Sequence, residues 1–188
     1  PSSEFVLEGI YGFAIYNTKG EKKIVDYRQI KPGEYGSDDN KKPLGFVVDR
    51  RRFDRYLATQ AERAGVTIWL KTAACGYRVL NDGTCEVDLL QFNTPITVKA
   101  KVVVGADGVQ SQVGKWAGIK THIKLSELAS CLQFVVDGVQ TEGLLEIITG
   151  HEWAPGGYAW VFPKGNGYAE IGLGITTTMC TGNAQTYL

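Results

Sequence analysis

The stretch Val102–Gly118, VVVGADGVQSQVGKWAG, constrains this chain more than any other. Its opening run of three valines is too short for a helix, and the β-branched composition predicts a strand buried on both faces. Gly105-Ala106-Asp107-Gly108 then forces a tight turn, and Ser111 stands where it caps a short helix ended by Gly118. A strand that passes through small residues into a helix N-terminus presents backbone N–H groups and a positive dipole end, which suit a phosphate or pyrophosphate. Asp107 can accept a hydrogen bond from a ribose hydroxyl or from a backbone amide. On spacing alone, the segment is equally well a strand–turn–helix corner in which Asp107 ties only its own loop.

Composition removes several classes of function. A chain of 188 residues buries roughly 70% of its unfolded surface, enough for a real core. Twenty basic and twenty acidic residues balance, so no overall field draws nucleic acid. No apolar run approaches the ~20 residues that span a bilayer, and the first residues lack the basic-then-apolar pattern of a signal peptide. The expected setting is cytoplasmic, with any membrane contact peripheral. Cys75, Cys85, Cys131 and Cys180 are scattered without a C-x-x-C pair, which points to free thiols, and with only His122 and His151 beside them no metal site is expected.

Taken in order, residues 9–17 and 22–28 alternate around Lys19-Gly20 as a β-hairpin, and residues 29–43 read as a loop rich in Gly, Pro, Lys and Asp. Residues 44–48 form a short strand. A helix follows over 49–63, with Asp49 as N-cap, Phe53, Tyr56, Leu57 and Ala61 at helical spacing, and Gly65 closing it. Strands are expected at 66–70 and 74–80, a turn at Asn81-Asp82-Gly83, and strands at 84–92 and 97–104. The fold class is α/β (α+β overall): part of a doubly wound sheet with a β-meander inserted in its crossover. Beyond Gly118 the strands 128–137, 144–149, 158–163 and 168–176 have no helix between them, so a second, antiparallel sheet follows, and 182–188 begin a helix.

Three segments carry a resemblance. GADGVQS (residues 105–111) resembles the Gly-Asp-Gly-x-x-Ser segment of flavoproteins of the aromatic-hydroxylase-like superfamily. Its continuation GKWAGI resembles the geranylgeranyl reductase branch more than the hydroxylases, which usually carry an Arg three residues after the Ser, where this chain has Gly114, with Lys115 next. GFVVDRRRFDRYL (45–57) resembles the reductases' Arg-x-x-Phe-Asp-x-x-Leu segment, with Arg50 in the motif position. GGYAWVFPKGNGYAEIGLG (156–174) resembles their Tyr-x-Trp-x-Phe-Pro-Lys-Gly segment and the Gly-x-Gly strand after it.

The resemblance implies an FAD-dependent reductase of C=C bonds in geranylgeranyl or other prenyl chains, serving isoprenoid membrane-lipid biosynthesis. Arg50 and Ala74 would stand at the flavin dinucleotide, with Asp107 and Gly108 ordering the loop beside it. Arg50-Arg51-Arg52 read without the resemblance is a solvent-facing charge run. Period-two geometry puts Tyr158, Trp160 and Phe162 on one strand face, and Gly172 and Gly174 on a bare face of the next. These five would line a prenyl channel, with Tyr158 the candidate proton donor and Lys164 a weaker one. An ordinary aromatic core relieved by glycines reads the same pattern structurally.

Partners implied are the prenyl lipid and an electron donor, whether ferredoxin, NADPH or reduced flavin; no nicotinamide fingerprint chooses among them. Residues 1–44 would belong to the substrate region, 45–118 to the FAD-binding domain and 119–188 to the antiparallel substrate-binding region. The family's Gly-x-Gly-x-x-Gly unit does not occur in the sequence, so the expectation is the middle portion of such an enzyme, inactive on its own. Two alternatives stand beside it: an FAD-dependent aromatic monooxygenase or halogenase, and a non-catalytic prenyl-lipid-binding module.

Overall fold

The computed structural model describes residues 4–30 and 42–188. In chain order its elements are β1 (Val6–Ile10), β2 (Gly12–Tyr16), β3 (Lys22–Asp26), β4 (Gly45–Val48), α1 (Arg50–Arg63), β5 (Thr72–Val79), β6 (Cys85–Gln91), β7 (Thr94–Ala100), α2 (Gln112–Trp116), β8 (Ala129–Val136), β9 (Leu144–Thr149), β10 (Tyr158–Gly165), β11 (Tyr168–Thr176) and α3 (Ala184–Tyr187). They divide into two compact units, Pro1–Thr59 with Leu125–Leu188, and Gln60–Lys124. Most of the loop expected at 29–43 lies outside the described residues.

The first unit is built on a six-stranded sheet of order β3-β2-β9-β10-β11-β8. Its neighbours pair antiparallel except β2 and β9, which run parallel and join segments far apart in sequence. The expected β-hairpin is β2–β3. Its turn is fixed by Asn17, whose Oδ1 accepts from the amides of Lys19 and Glu21, each at 2.9 Å. The β10–β11 hairpin closes through Asn166 and Gly167, at φ 53° and 79°. Left-handed conformation at both central positions is what a two-residue turn between twisted strands requires. One face of the sheet carries Leu132, Ala159, Leu173 and Ile175 and packs on Ala154, Cys180, Ala184 and Tyr187. This is the buried core, and Asn183, whose side chain accepts from the Thr186 amide, starts the short α3 that covers it.

A two-stranded antiparallel ribbon of β1 and β4 lies against β10 in the same unit. The β4 strand leads into α1, whose N-terminus is capped as expected: Asp49 Oδ1 accepts from the amides of Arg51 (3.0 Å) and Arg52 (3.3 Å). Phe5 is buried, with Phe53 edge-on at 5.0 Å and Tyr56 at 5.2 Å between ring centroids, so the apolar stripe of α1 docks onto the segment ahead of β1.

The second unit holds the antiparallel meander β5-β6-β7, with α2 against β5. One face is laced by cross-strand polar pairs. Arg78 bridges Glu86 and Asp88, both at 2.6 Å, Thr97 donates to Asp88 at 2.9 Å, and Lys99 reaches Asp82 at 2.9 Å. Such pairs suit a solvated face, and Lys99 and the Thr84 hydroxyl hold the Asp82 carboxyl down to about 2.

The mixed α/β class and the meander agree with the sequence. Two expected strands do not form. Residues 66–70 and 102–104 are not in any sheet, and Val102 and Val104 are 74% and 81% exposed. A strand buried on both faces needs a neighbour on each edge and cover on each side. Among the described residues no strand pairs with either segment.

Candidate functional site

The face of the six-stranded sheet opposite the core carries the aromatic motif. In the β10–β11 register Tyr158 stands opposite Gly174, Trp160 opposite Gly172 and Phe162 opposite Glu170. The three rings form a continuous row, with centroids 5.9 Å apart at each step. Alternation along the strand therefore does bring Tyr158, Trp160, Phe162, Gly172 and Gly174 to one face.

The glycines do not leave that face bare. A Cβ on Gly172 would come within 2.6 Å of Trp160 Cζ2 and 2.7 Å of the Gln133 Cβ, and one on Gly174 within 3.0 Å of Cys131 Sγ. The indole of Trp160 lies on the backbone of β11, and the missing side chain at Gly172 is its seat. Trp160 is only 8% exposed, whereas Tyr158 is 47% exposed. Trp160 Nε1 is buried without a hydrogen-bond partner among the described residues. A buried donor left unpaired carries a desolvation cost.

Space opens one position further along. A cavity of about 830 Å³ lies between this face and the β1–β4 ribbon. Phe13, Val47, Val135, Leu145 and Phe162 supply apolar wall, and Arg50 and Arg51 stand at the start of α1 on its rim. Of the motif aromatics Phe162 alone lines it. Lys164 and Glu170 line it as well, joined by Lys164 Nζ donating to Glu170 Oε2 at 3.0 Å, with side chains only 19% and 21% exposed.

Neither Glu170 nor the contribution of Phe13, Val135 and Leu145 was read from the sequence. Glu170 had a local signal, an acid placed opposite Phe162 by the Asn166-Gly167 turn. The others come from β2, β8 and β9, which meet only through sheet order. Arg50 is exposed and holds Asp54, one turn along α1, through Nε and Nη2 at 3.2 and 3.3 Å. An exposed pair of this kind contributes only ~0.3–0.5 kcal/mol, so the guanidinium can exchange Asp54 for another anion at little cost.

In the second unit, the N-terminus of α2 is filled by the chain itself. Asp107 Oδ2 accepts from the amides of Gln112 (2.6 Å) and Val113 (3.0 Å), Ser111 Oγ donates to Asp107 Oδ1 (2.6 Å), and Gly114 N donates to Ser111 Oγ (3.0 Å). These bonds, led by Ser111, hold the Asp107 carboxyl down to about 2. The free helix end that spacing suggested for a phosphate is thus occupied by Asp107 tying its own loop. Gly108 takes φ 79°, the left-handed turn conformation that glycine permits. Ala74 sits in β5 beside a bulge, the register slipping between Ala74 and Gly76. Bulges leave backbone unpaired and are frequent beside active sites.

Two outcomes test this geometry. Gly172→Ala forces the Trp160 indole off β11 and lowers unfolding free energy by about 1–3 kcal/mol, read by urea denaturation. Gly76→Ala, whose added Cβ meets no atom closer than Asp88 Oδ2 at 3.9 Å, serves as the near-neutral control. Because its carboxyl is lower in the folded chain than the ordinary 3.8, Asp107 favours the folded state above pH ~4 and this contribution is lost as pH falls toward 2. A carboxyl-carbon NMR titration of Asp107 with its midpoint near 2 is expected, and Ser111→Ala moves that midpoint up.

Comparison with known proteins places these features. The FAD binding domain family matches residues 14–152, and the geranylgeranyl reductase catalytic domain family matches residues 127–188. A digeranylgeranylglycerophospholipid reductase of Methanosarcina acetivorans is 37% identical over 92% of this chain and 40% of its own length. A second, from Methanosphaera stadtmanae, is 31% identical over 100% of this chain and 46% of its own. The chain thus spans less than half the length of these relatives. Among solved structures, a geranylgeranyl bacteriochlorophyll reductase-like protein from Thermoplasma acidophilum superposes with a TM-score of 0.85 at 29% identity, over 100% of this chain and 46% of that one. The flavin-dependent halogenase CmlS, at 14% identity with a TM-score of 0.62 over 94% of this chain and 31% of its own, shares the fold. With its FAD-binding segment running into a geranylgeranyl reductase catalytic segment, the chain belongs to the geranylgeranyl reductase family of FAD-binding flavoproteins.

Proposed function

We propose that the protein carrying this chain is an FAD-dependent reductase of prenyl C=C bonds, acting on the geranylgeranyl chains of membrane phospholipids. The observation that carries this reading is the 830 Å³ cavity, apolar along Phe13, Val47, Val135, Leu145 and Phe162. Its size lies within the roughly 300–1,000 Å³ usual for small-molecule sites, and a branched hydrocarbon chain is what such walls hold. The relatives' names support the phospholipid substrate.

One feature of the site fits a flavin dinucleotide: the Arg50 guanidinium at the cavity rim, held only by an exposed pair. In the first unit, Arg50 is the residue for the dinucleotide. Asp107 orders its loop rather than offering an open anion site. When bound and reduced, FAD supplies the hydride for one alkene carbon.

The other alkene carbon takes a proton from the protein. Tyr158 does not line the cavity and is half exposed, whereas Lys164 Nζ lies on the cavity wall, held by Glu170. This supports Lys164 over Tyr158 as proton donor, with Glu170 holding Nζ in place. Phe162 and its apolar neighbours exclude water from the chain they hold. A hydroxylase or halogenase reading rests on fold alone, since those likenesses are at 13–16% identity.

The experiment is to purify the protein without added cofactor and assay it in detergent with a geranylgeranyl phospholipid and a chemical reductant. Flavin bands near roughly 370 and 450 nm and a product that gains two hydrogens per reduced bond are expected. A colourless protein that takes up no FAD overturns the reading, and NADPH oxidation stimulated by a phenol replaces it with a hydroxylase. Lys164→Met is expected to lower kcat by about 10²-fold or more with little change in KM, while Tyr158→Phe stays within a few-fold of wild type. The reverse pattern returns the proton to Tyr158.

A further inference from the structure

We propose that a basic cleft in the second unit, distinct from the cavity above, is a docking surface for an anionic lipid bilayer. The cleft, about 460 Å³, is lined by Lys115, Ile119, Lys120, Thr121, His122 and Lys124. Although the chain as a whole is charge-balanced, no acidic residue lies between Asp107 and Glu127 in sequence, and Lys115, Lys120 and Lys124 bring three ammonium groups to the cleft. Lys115 and Lys120 are exposed and make no ion pair among the described residues. Ile119 stands between them in sequence, 63% exposed.

The surface is built rather than loose. Ile119 N donates to Gly114 O at 2.9 Å and the Thr121 hydroxyl to Ser111 O at 3.1 Å. A Cβ on Gly114 would come within 2.6 Å of Thr121 Cγ2, so the loop is closed against α2. Ammonium groups carried by this tied loop around an exposed isoleucine match a layer of phosphates over hydrocarbon: each lysine near such a surface adds electrostatic attraction, and the isoleucine enters the boundary. The proposal rests on the reductase reading only in that a lipid substrate brings the protein to a membrane.

The test is cosedimentation with vesicles of saturated phosphatidylglycerol and phosphatidylcholine, against pure phosphatidylcholine. No prenyl chain is present, so the outcome does not depend on reductase activity. Binding to the anionic vesicles alone is expected, weakened at high salt and reduced about fivefold for each of Lys115→Gln and Lys120→Gln. Ile119→Asp should weaken binding even at low salt, while Lys19→Gln, in the β2–β3 turn, should change nothing. Equal binding to both vesicle types, or indifference to both lysine changes in variants with wild-type circular dichroism, overturns the proposal. Displacement by inorganic phosphate but not by chloride of equal ionic strength also overturns it, assigning the cleft to a soluble anion. Anionic binding without prenyl reduction would leave the cleft standing and remove the reductase reading.

Discussion

The seat of the Trp160 indole on Gly172 governs the first unit. The indole can lie flat on β11 only because Gly172 brings no side chain, and its burial presses β10 and β11 together. Phe162 stacks on the outer side of that indole, at an interplanar angle of 24°, and so faces the space where the cavity opens. A glycine that looks like an opening in the sequence is therefore a packing contact. The opening itself lies one step along the strand, between Phe162 and the β1–β4 ribbon.

Polar side chains also line that cavity: Asp49, Arg50, Arg51, Gln133, Lys164 and Glu170. Lys164 and Glu170 form a partly buried pair, each satisfying the other in surroundings that offer little water. Breaking such a pair by removing one partner leaves an uncompensated charge, whereas keeping both adds little net stability. The pair therefore adds little to folding while it is intact. Arg50 is the contrast: its pairing with Asp54 lies in solvent and is easily exchanged.

The second unit shows how a helix end can be closed from within. Asp107 and Ser111 take the first amides of α2, as a capping residue does, and the left-handed Gly108 returns the chain to let them reach. Thr121 is held by a separate bond, its hydroxyl donating to Ser111 O at 3.1 Å.

The sequence by itself determined the local elements: the Asp49 and Ser111 caps, the Asn17 and Asn166-Gly167 turns, the alternation of Tyr158, Trp160 and Phe162, and the motifs that mark the family. Each depends on residues a few positions apart, whose geometry the backbone period sets. Only the tertiary structure decided that Trp160 fills the glycine face, that Asp107 occupies its own helix end, and that Phe13, Val135 and Leu145 wall the cavity. It also decided that Val102–Val104 forms no strand, because a strand is a property of its neighbours as much as of its own residues. Sheet order joins β2 to β9 and β11 to β8 across long stretches of chain, and no local pattern specifies which distant strand will supply the next side chain.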